Sequence, residues 1–387
     1  MQSNQVYAIP CPDYSQAEDC LREVVARMGG MEHFVHPGQR VLLKANLLRP
    51  APPETAVCTH PAVVEAVAKL VREAGGTAVI TDSPGGALQK ESVLRHLYEK
   101  TGMTQAAARS GAELSYDTTI RAVSLPDGHV LRQAEIIAPV ADADVVFDLC
   151  KLKTHVFMSM TGAVKNLFGV IPGLTKVGFH ATHPDQQQFA DILLDLAGYV
   201  APRLCVMDAV LAMEGEGPGA SGTPRPVGLL LVSENPLALD VVAAEIIGLP
   251  RSSNPLLLAA QRRGLSPSRI EDVELVGPPL EQLRIPDYRF PANVRRELLD
   301  ILGPLSRPAA RLCKALFSRT PSVDPQRCVG CGICQRSCPG KAISMDAPGA
   351  RARIDPKACI HCYCCHELCP HKAVELHRTI LGRLFSR

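Results

Sequence analysis

The chain has 387 residues, 46% of them hydrophobic, with a net charge of +2 and only 4% aromatic residues. That length predicts two or three domains, and neither the charge nor the aromatic content supports a nucleic-acid partner. No apolar run reaches the about 18 residues of a transmembrane helix, and the opening MQSNQVYAIPCPDY lacks the basic stretch and apolar core of an export signal. A cytoplasmic location is the expectation.

Residues 1–280 alternate strand and helix patterns. Val41–Ala45 reads as a short apolar strand, followed by a helix with Thr59 as N-cap and Pro61 in its first turn. Val63, Val64, Val67, Leu70 and Val71 keep the helical period until Gly75-Gly76, and Thr77–Thr81 reads as the next strand. Strand, helix and strand with short connections build a parallel sheet. Pro126-Asp127-Gly128 predicts a hairpin, and Asp144–Leu149, Leu204–Met207 and Gly228–Val232 predict buried strands. Helices are expected over Asp191–Tyr199 and Leu237–Ile247. The fold class is therefore α/β, a layered parallel or mixed sheet with helices on both faces and function at the carboxyl ends of its strands. Residues 281–320 are richer in proline and read as a helical connector, with amphipathic helices over Val294–Leu302 and Ala309–Phe317. Residues 379–387 form a basic tail.

Between connector and tail, residues 321–378 carry Cys328-x2-Cys331-x2-Cys334-x3-Cys338-Pro339 and then Cys359-x2-Cys362-x2-Cys365-x3-Cys369-Pro370. In this pattern three cysteines hold one iron–sulfur cluster while the fourth reaches to the other. The expected ligands are Cys328, Cys331, Cys334 and Cys369 for one [4Fe–4S] cluster, and Cys359, Cys362, Cys365 and Cys338 for the second. Zinc also takes CxxC pairs, but its frameworks usually separate them by a longer loop. A disulfide framework lacks a secretory context. Cys364, off register, reads as a neighbouring thiol. The segment resembles bacterial-type ferredoxins with two [4Fe–4S] clusters, which implies a small α+β unit of βαββαβ order.

Polar groups gather where the strands of the large domain are expected to end. They are Lys44 and Asn46, then Asp82-Ser83-Pro84-Gly85, then Lys151, Lys153 and His155. Lys165, Asn166, Lys176 and His180 follow in a glycine-punctuated stretch, and Asp208, Glu214 and Glu216 come later. The motifs Lys44-x-Asn46, Thr59-His60-Pro61, Asp82-Ser83-Pro84-Gly85, Lys151-Leu152-Lys153-Thr154-His155, Thr161–Gly169 and Glu214–Pro218, with Asp240, resemble the domain-of-unknown-function 362 family. One departure is Ala45, where a proline is expected. The resemblance implies an architecture, often fused to a ferredoxin module, and no settled reaction.

Read as chemistry, Lys44, Lys151, Lys153, Lys165 and Lys176 with His155 and His180 make a positive site suited to carboxylate or phosphate. Lys153, His155, Lys165 and His180 are the candidate catalytic groups. Lys44, Asn46, Asp82, Lys151, Asn166 and Lys176 are the candidate substrate-binding groups. Asp82 suits ligand orientation or turn capping equally, and His60 a helix start or a catalytic role. Glu214 and Glu216 with Asp208 offer oxygen ligands to a divalent cation, although glutamates between glycines more often sit in a solvated turn. Asp240 reads as a helix-dipole partner. No GxGxxG or GxxxxGK[ST] is present, so no nicotinamide or ATP motif is found; a flavin held without a signature stays open. The expectation is a reductase drawing electrons from a ferredoxin, flavodoxin or oxidoreductase partner and acting on an anionic small molecule. The alternative is an electron carrier, adaptor or maturation protein whose large domain docks a redox enzyme.

Overall fold

The computed structural model describes residues 3–85, 90–183, 185–292 and 319–378. The strands of the large unit are β1 (Gln5–Pro10), β2 (Arg40–Ala45), β3 (Thr77–Thr81), β4 (Glu113–Leu114), β5 (Ile120–Ser124), β6 (Gln133–Ile137), β7 (Val145–His155), β8 (Ser159–Thr161), β9 (Leu204–Gly215), β10 (Gly222–Ser233) and β11 (Glu274–Val276). Its helices include α1 (Ala17–Arg27), α2 (Pro61–Glu73), α3 (Glu91–Lys100), α4 (Met103–Ser110), α5 (Ala138–Ala141), α6 (Ala163–Asn166), α7 (Gly173–Thr182), α8 (Gln186–Val200), α9 (Pro236–Ile246) and α10 (Pro255–Arg262). Nine strands form one mixed sheet in the order β11-β1-β10-β9-β7-β2-β3-β4, with β8 paired to β7. The run from β9 through β7, β2 and β3 to β4 is parallel, whereas β10 pairs antiparallel with both β9 and β1. β5 and β6 make the hairpin expected around Pro126-Asp127-Gly128.

Helices cover both faces, which is why the central strands are apolar almost throughout. On one face Val41, Leu43 and Phe147 pack with α1 to α4; on the other Leu42, Val146 and Cys150 pack with α6, α8, α9 and α10. Helix α2 shows how the sequence sets an element. Val63, Val64, Val67, Leu70 and Val71 are all buried, and Gly75, at φ +82, turns the chain out of the helix. The cap is His60 rather than Thr59: His60 Nδ1 accepts the Ala62 N–H at 3.2 Å. Thr59 instead ties two strands together, donating to the Leu149 carbonyl at 2.7 Å and accepting the Asn46 N–H at 3.0 Å.

Two strands outrun their expected ends. β7 continues to His155 because β8 pairs with residues 153–155, and β9 continues to Gly215 because β10 pairs along it. Lys151, Lys153 and His155 are therefore strand residues, not loop residues. Asp240, expected to answer the dipole of its own helix, accepts from Ala163 N–H at 2.6 Å and Val164 N–H at 3.1 Å, and so holds the start of α6 against α9.

The C-terminal unit follows the βαββαβ order: β12 (Arg319–Val323), helix Ile333–Arg336, β13 (Ile343–Ser344), β14 (Arg353–Ile354), helix Cys364–Leu368 and β15 (Val374–Arg378). β12 pairs with β15 and β13 with β14, both antiparallel. Its small core is built largely of cysteines with Ile343, Ala352, Ala373 and Val374. The helices expected over Val294–Leu302 and Ala309–Phe317, and the tail at 379–387, lie outside the described residues. Among the described residues no helix is long and apolar enough to cross a membrane.

Candidate functional site between the two units

A cavity of about 100 Å³ opens where the large unit meets the helix Cys364–Leu368. From the large unit Asn46, Asp82, Lys153, His155, Lys165, Asn166, Lys176 and His180 line it; Cys364, Glu367 and Leu368 close the other side. All four candidate catalytic groups and four of the six candidate binding groups thus meet in one place.

Lys44 and Lys151 do not reach the cavity. Lys44 Nζ lies 2.7 Å from Asp82 Oδ1 and Lys151 Nζ 2.7 Å from Asp208 Oδ2, and both lysine side chains are 0% exposed. Each is neutralised where it stands, so the sequence reading overcounted the cations open to a ligand. Asp82 has two tasks here. It pairs with Lys44, and its Oδ2 accepts the Leu47 N–H at 2.6 Å, fixing the loop after β2. Gly169 lets the chain pass this pair, since a Cβ there would collide with Lys44 Nζ and Asp82 Oδ1.

Lys153 and Lys176 are held by neutral groups. Lys153 Nζ donates to Asn46 Oδ1 at 2.6 Å and to the Val57 carbonyl at 2.7 Å. Lys176 Nζ donates to the Ser83 carbonyl. Burial therefore pushes the Lys153 and Lys176 ammonium groups down to about 7, and Lys165 is lowered by burial too. Asn166 braces the floor, donating to Asp148 Oδ1 at 2.6 Å and accepting from Asn46 Nδ2 at 2.8 Å.

His155 Nδ1 accepts the N–H groups of Phe157 and Met158 at 3.0 and 3.2 Å. The neutral ring consequently carries its proton on Nε2, which stands 3.4 Å from Glu367 Oε1 on the facing helix. Burial first, then Lys165 and His180, holds this imidazole well below its ordinary value. His180 stacks on Phe189 at 4.6 Å and is pushed down to about 3, by burial and then by Lys165. Ser83 Oγ, Thr161 Oγ1, His180 Nδ1 and Glu367 Oε1 are buried without a hydrogen-bond partner, and all four residues line this cavity. Such a concentration of unmet polar atoms marks a place for a ligand.

The facing helix is docked firmly. His366 Nε2 meets the Glu216 carbonyl at 3.3 Å, Glu216 pairs with Arg319, and a Cβ at Gly219 would collide with the Glu367 carbonyl. Glu367 and Cys364 were missed as cavity residues because a ferredoxin motif draws every residue within it into the account of the cluster. The only sequence signal was that Cys364 stands off register. Asp208, Glu214 and Glu216 are not gathered as cation ligands: they pair with Lys151, Arg289 and Arg319 respectively.

The match to the family model for Domain of unknown function (DUF362) runs over residues 41–245 and contains every large-unit residue of the cavity wall named above. The chain belongs to this family. In this DUF362 protein a second model, the 4Fe-4S dicluster domain, matches residues 327–373. The protein is thereby an iron–sulfur electron-transfer protein. The Thylakoid-associated protein sll1697 of Synechocystis sp. is 34% identical over 309 residues, covering 77% of this chain and 88% of that protein. Among solved structures, the lactate racemase apoprotein from Thermoanaerobacterium thermosaccharolyticum aligns with a TM-score of 0.35 and 14% identity, over 61% of this chain and 55% of that one.

Cys328, Cys331, Cys334 and Cys369 line one small cavity in the C-terminal unit. Cys365 has Cys362, Cys359, Cys334 and Cys338 as electrostatic neighbours. Cys338 and Cys369 each accept a backbone N–H from four residues on, Ala342 at 3.2 Å and Ala373 at 3.3 Å. Among the described residues no three His, Cys, Asp or Glu groups converge on a single-ion position. A donor set of thiols spread around a cavity fits a cage in which each sulfur meets its own iron.

Proposed function

We propose that this DUF362 protein is a reductase that takes electrons from a redox partner protein and delivers them to an anionic small molecule in the cavity between its two units. One observation carries the reading. The helix Cys364–Leu368, threaded between Cys362, Cys365 and Cys369, is itself the wall facing Lys153, Lys165 and Lys176. A surface built only for docking a carrier would be open and flat. This one is covered, which favours turnover over simple relay.

Reduction of a C=C or C=O bond takes two electrons and two protons. Two [4Fe–4S] clusters, with Cys328, Cys331, Cys334 and Cys369 as one ligand set and Cys359, Cys362, Cys365 and Cys338 as the other, supply the electrons singly when bound. Lys165 and Lys176 hold the anionic group of the ligand, and Asn46 and Asn166 orient it. Lys153, which burial brings to about 7, gives one proton with each electron and is recharged from solvent between them, while the neutral His155 ring donates an Nε2–H hydrogen bond to charge developing on the reacting oxygen or carbon. The electron donor is a ferredoxin, flavodoxin or oxidoreductase, and the setting a reducing compartment such as the cytoplasm.

The test is reoxidation of anaerobically purified, dithionite-reduced protein by a panel of carboxylates and phosphates, followed by EPR. One ligand class is expected to reoxidise the protein. If none does, the electron-carrier or adaptor reading replaces this one. The ligand assignment has its own check: Cys331→Ala is expected to hold about half of the roughly eight irons that two clusters contain, and unchanged iron would overturn it.

A further inference from the structure

A second cavity of about 540 Å³ lies outside the first, again between the two units. Gly85 and Leu368 line both, so the two spaces meet at that pair. The joint is narrow because the chain keeps it so: a Cβ on Gly85 would stand 3.3 Å from Leu368 Cδ2. Glycine at this position leaves the passage its width.

The two spaces differ in chemistry. The inner one holds the lysines, the asparagines and the unpartnered polar atoms described above, and at about 100 Å³ it has room for little more than a headgroup. The outer one is walled by Pro50 and Val93 from the large unit and by Ile333, Leu368 and Pro370 from the C-terminal unit. Arg49, Arg336, Ser92, His96 and Ser337 complete its lining. Arg336 is occupied by the Cys331 carbonyl at 3.2 Å and Arg49 Nη1 by the Pro50 carbonyl at 3.3 Å, while Arg49 Nε is buried without a partner. A polar, cationic end opening into a larger apolar space fits an elongated molecule with its charge at one end.

We propose that the ligand is an anion carrying an apolar chain, with the anionic end among Lys153, Lys165 and Lys176 and the chain running past Gly85 and Leu368 into the outer cavity. This rests on the reading that the inner cavity binds an anion. Val93, in the first turn of α3, and Ile333, within the first cysteine motif, form opposite sides of the chain's path.

The experiment is a calorimetric titration of the full-length, cluster-loaded protein, kept anaerobic, with acetate, butyrate, hexanoate and octanoate. Each buried methylene contributes about 0.8 kcal/mol, or roughly a fourfold gain in affinity. Octanoate is expected to bind at least about a hundredfold tighter than acetate, allowing for incomplete filling of the cavity. In Val93→Trp, which narrows the outer space on the chain's path, that ratio is expected to fall below about tenfold. An acetate-to-octanoate ratio near one in the native protein overturns the proposal while leaving anion binding intact. A steep ratio that persists in Val93→Trp overturns it as well, since the chain then lies elsewhere. Failure of every anion to bind, short or long, overturns the inner-site reading and this inference with it.

Discussion

Asp208→Ala is expected to destabilise the large unit by about 3–5 kcal/mol, the usual penalty for stripping the partner from a buried charge. Asp208 and Lys151 are both 0% exposed and stand 2.7 Å apart. Asp208 also accepts from Tyr14 Oη at 2.9 Å, from the His60 N–H at 2.9 Å and from the Val210 N–H at 3.3 Å. Alanine would leave these donors without an acceptor and the Lys151 ammonium with Tyr14 Oη, at 3.0 Å, but no opposite charge, in a space closed to water. Burial already pushes Lys151 down, with Asp208 working against it. Chemical denaturation followed by far-UV circular dichroism measures the loss, and iron content should be retained because the cysteines lie in the other unit. A double replacement, Lys151→Met with Asp208→Leu, is expected to recover only the part of the deficit due to the uncompensated Lys151 charge, since Tyr14 Oη and the His60 and Val210 N–H groups still lack their acceptor. A loss below about 1 kcal/mol in the single variant would mean that Lys151 sheds its proton instead, and the pair would then not be an ionic strut.

Much of this architecture is legible in the amino-acid order, for reasons that can be traced. The alternation of valine-rich strands with helices such as α2 depends on local period, and the cysteine strings depend on fixed spacing; both survive without knowledge of the fold. The ends of β7 and β9 do not. Lys151, Lys153 and His155 look like loop residues until β8 is seen to pair with them. Their charges are tolerated in a strand because Asp208, Asn46 and the Val57 carbonyl receive them. The same blindness to partners made five lysines look like one cationic site, when Lys44 and Lys151 are each cancelled by a carboxylate distant in sequence. Glu367 is the converse case. Nothing local distinguishes it from an ordinary acidic residue of a ferredoxin helix. Its position opposite His155 arises only when the two units pack.

Lys153→Met is expected to lower reduction of the anionic substrate at least about a hundredfold, the lower range for loss of a positioned acid or charge stabiliser. Asn46 Oδ1 and the Val57 carbonyl satisfy the Lys153 ammonium without neutralising it, and burial brings it down to about 7. Lys176 is likewise near 7, lowered by burial while Asp82 raises it. A bound carboxylate or phosphate supplies the missing opposite charge, so binding takes up protons at neutral pH. The dissociation constant should therefore weaken as pH rises from about 6 to about 9, by roughly a hundredfold for each lysine that must be charged. Titrations in buffers of differing ionisation enthalpy count the protons directly. Folding stability runs the other way. The folded-state value near 7 lies below the ordinary lysine value of 10.5, so between them the unfolded chain binds more protons and stability rises with pH. Lys153→Met removes that penalty. The variant is expected to be less active yet more stable than the native protein at pH about 7, with a flatter pH dependence of stability. Native turnover in Lys153→Met, or anion binding indifferent to pH, would remove this lysine from the site. A variant that lost activity and stability together would mark it as a structural residue only.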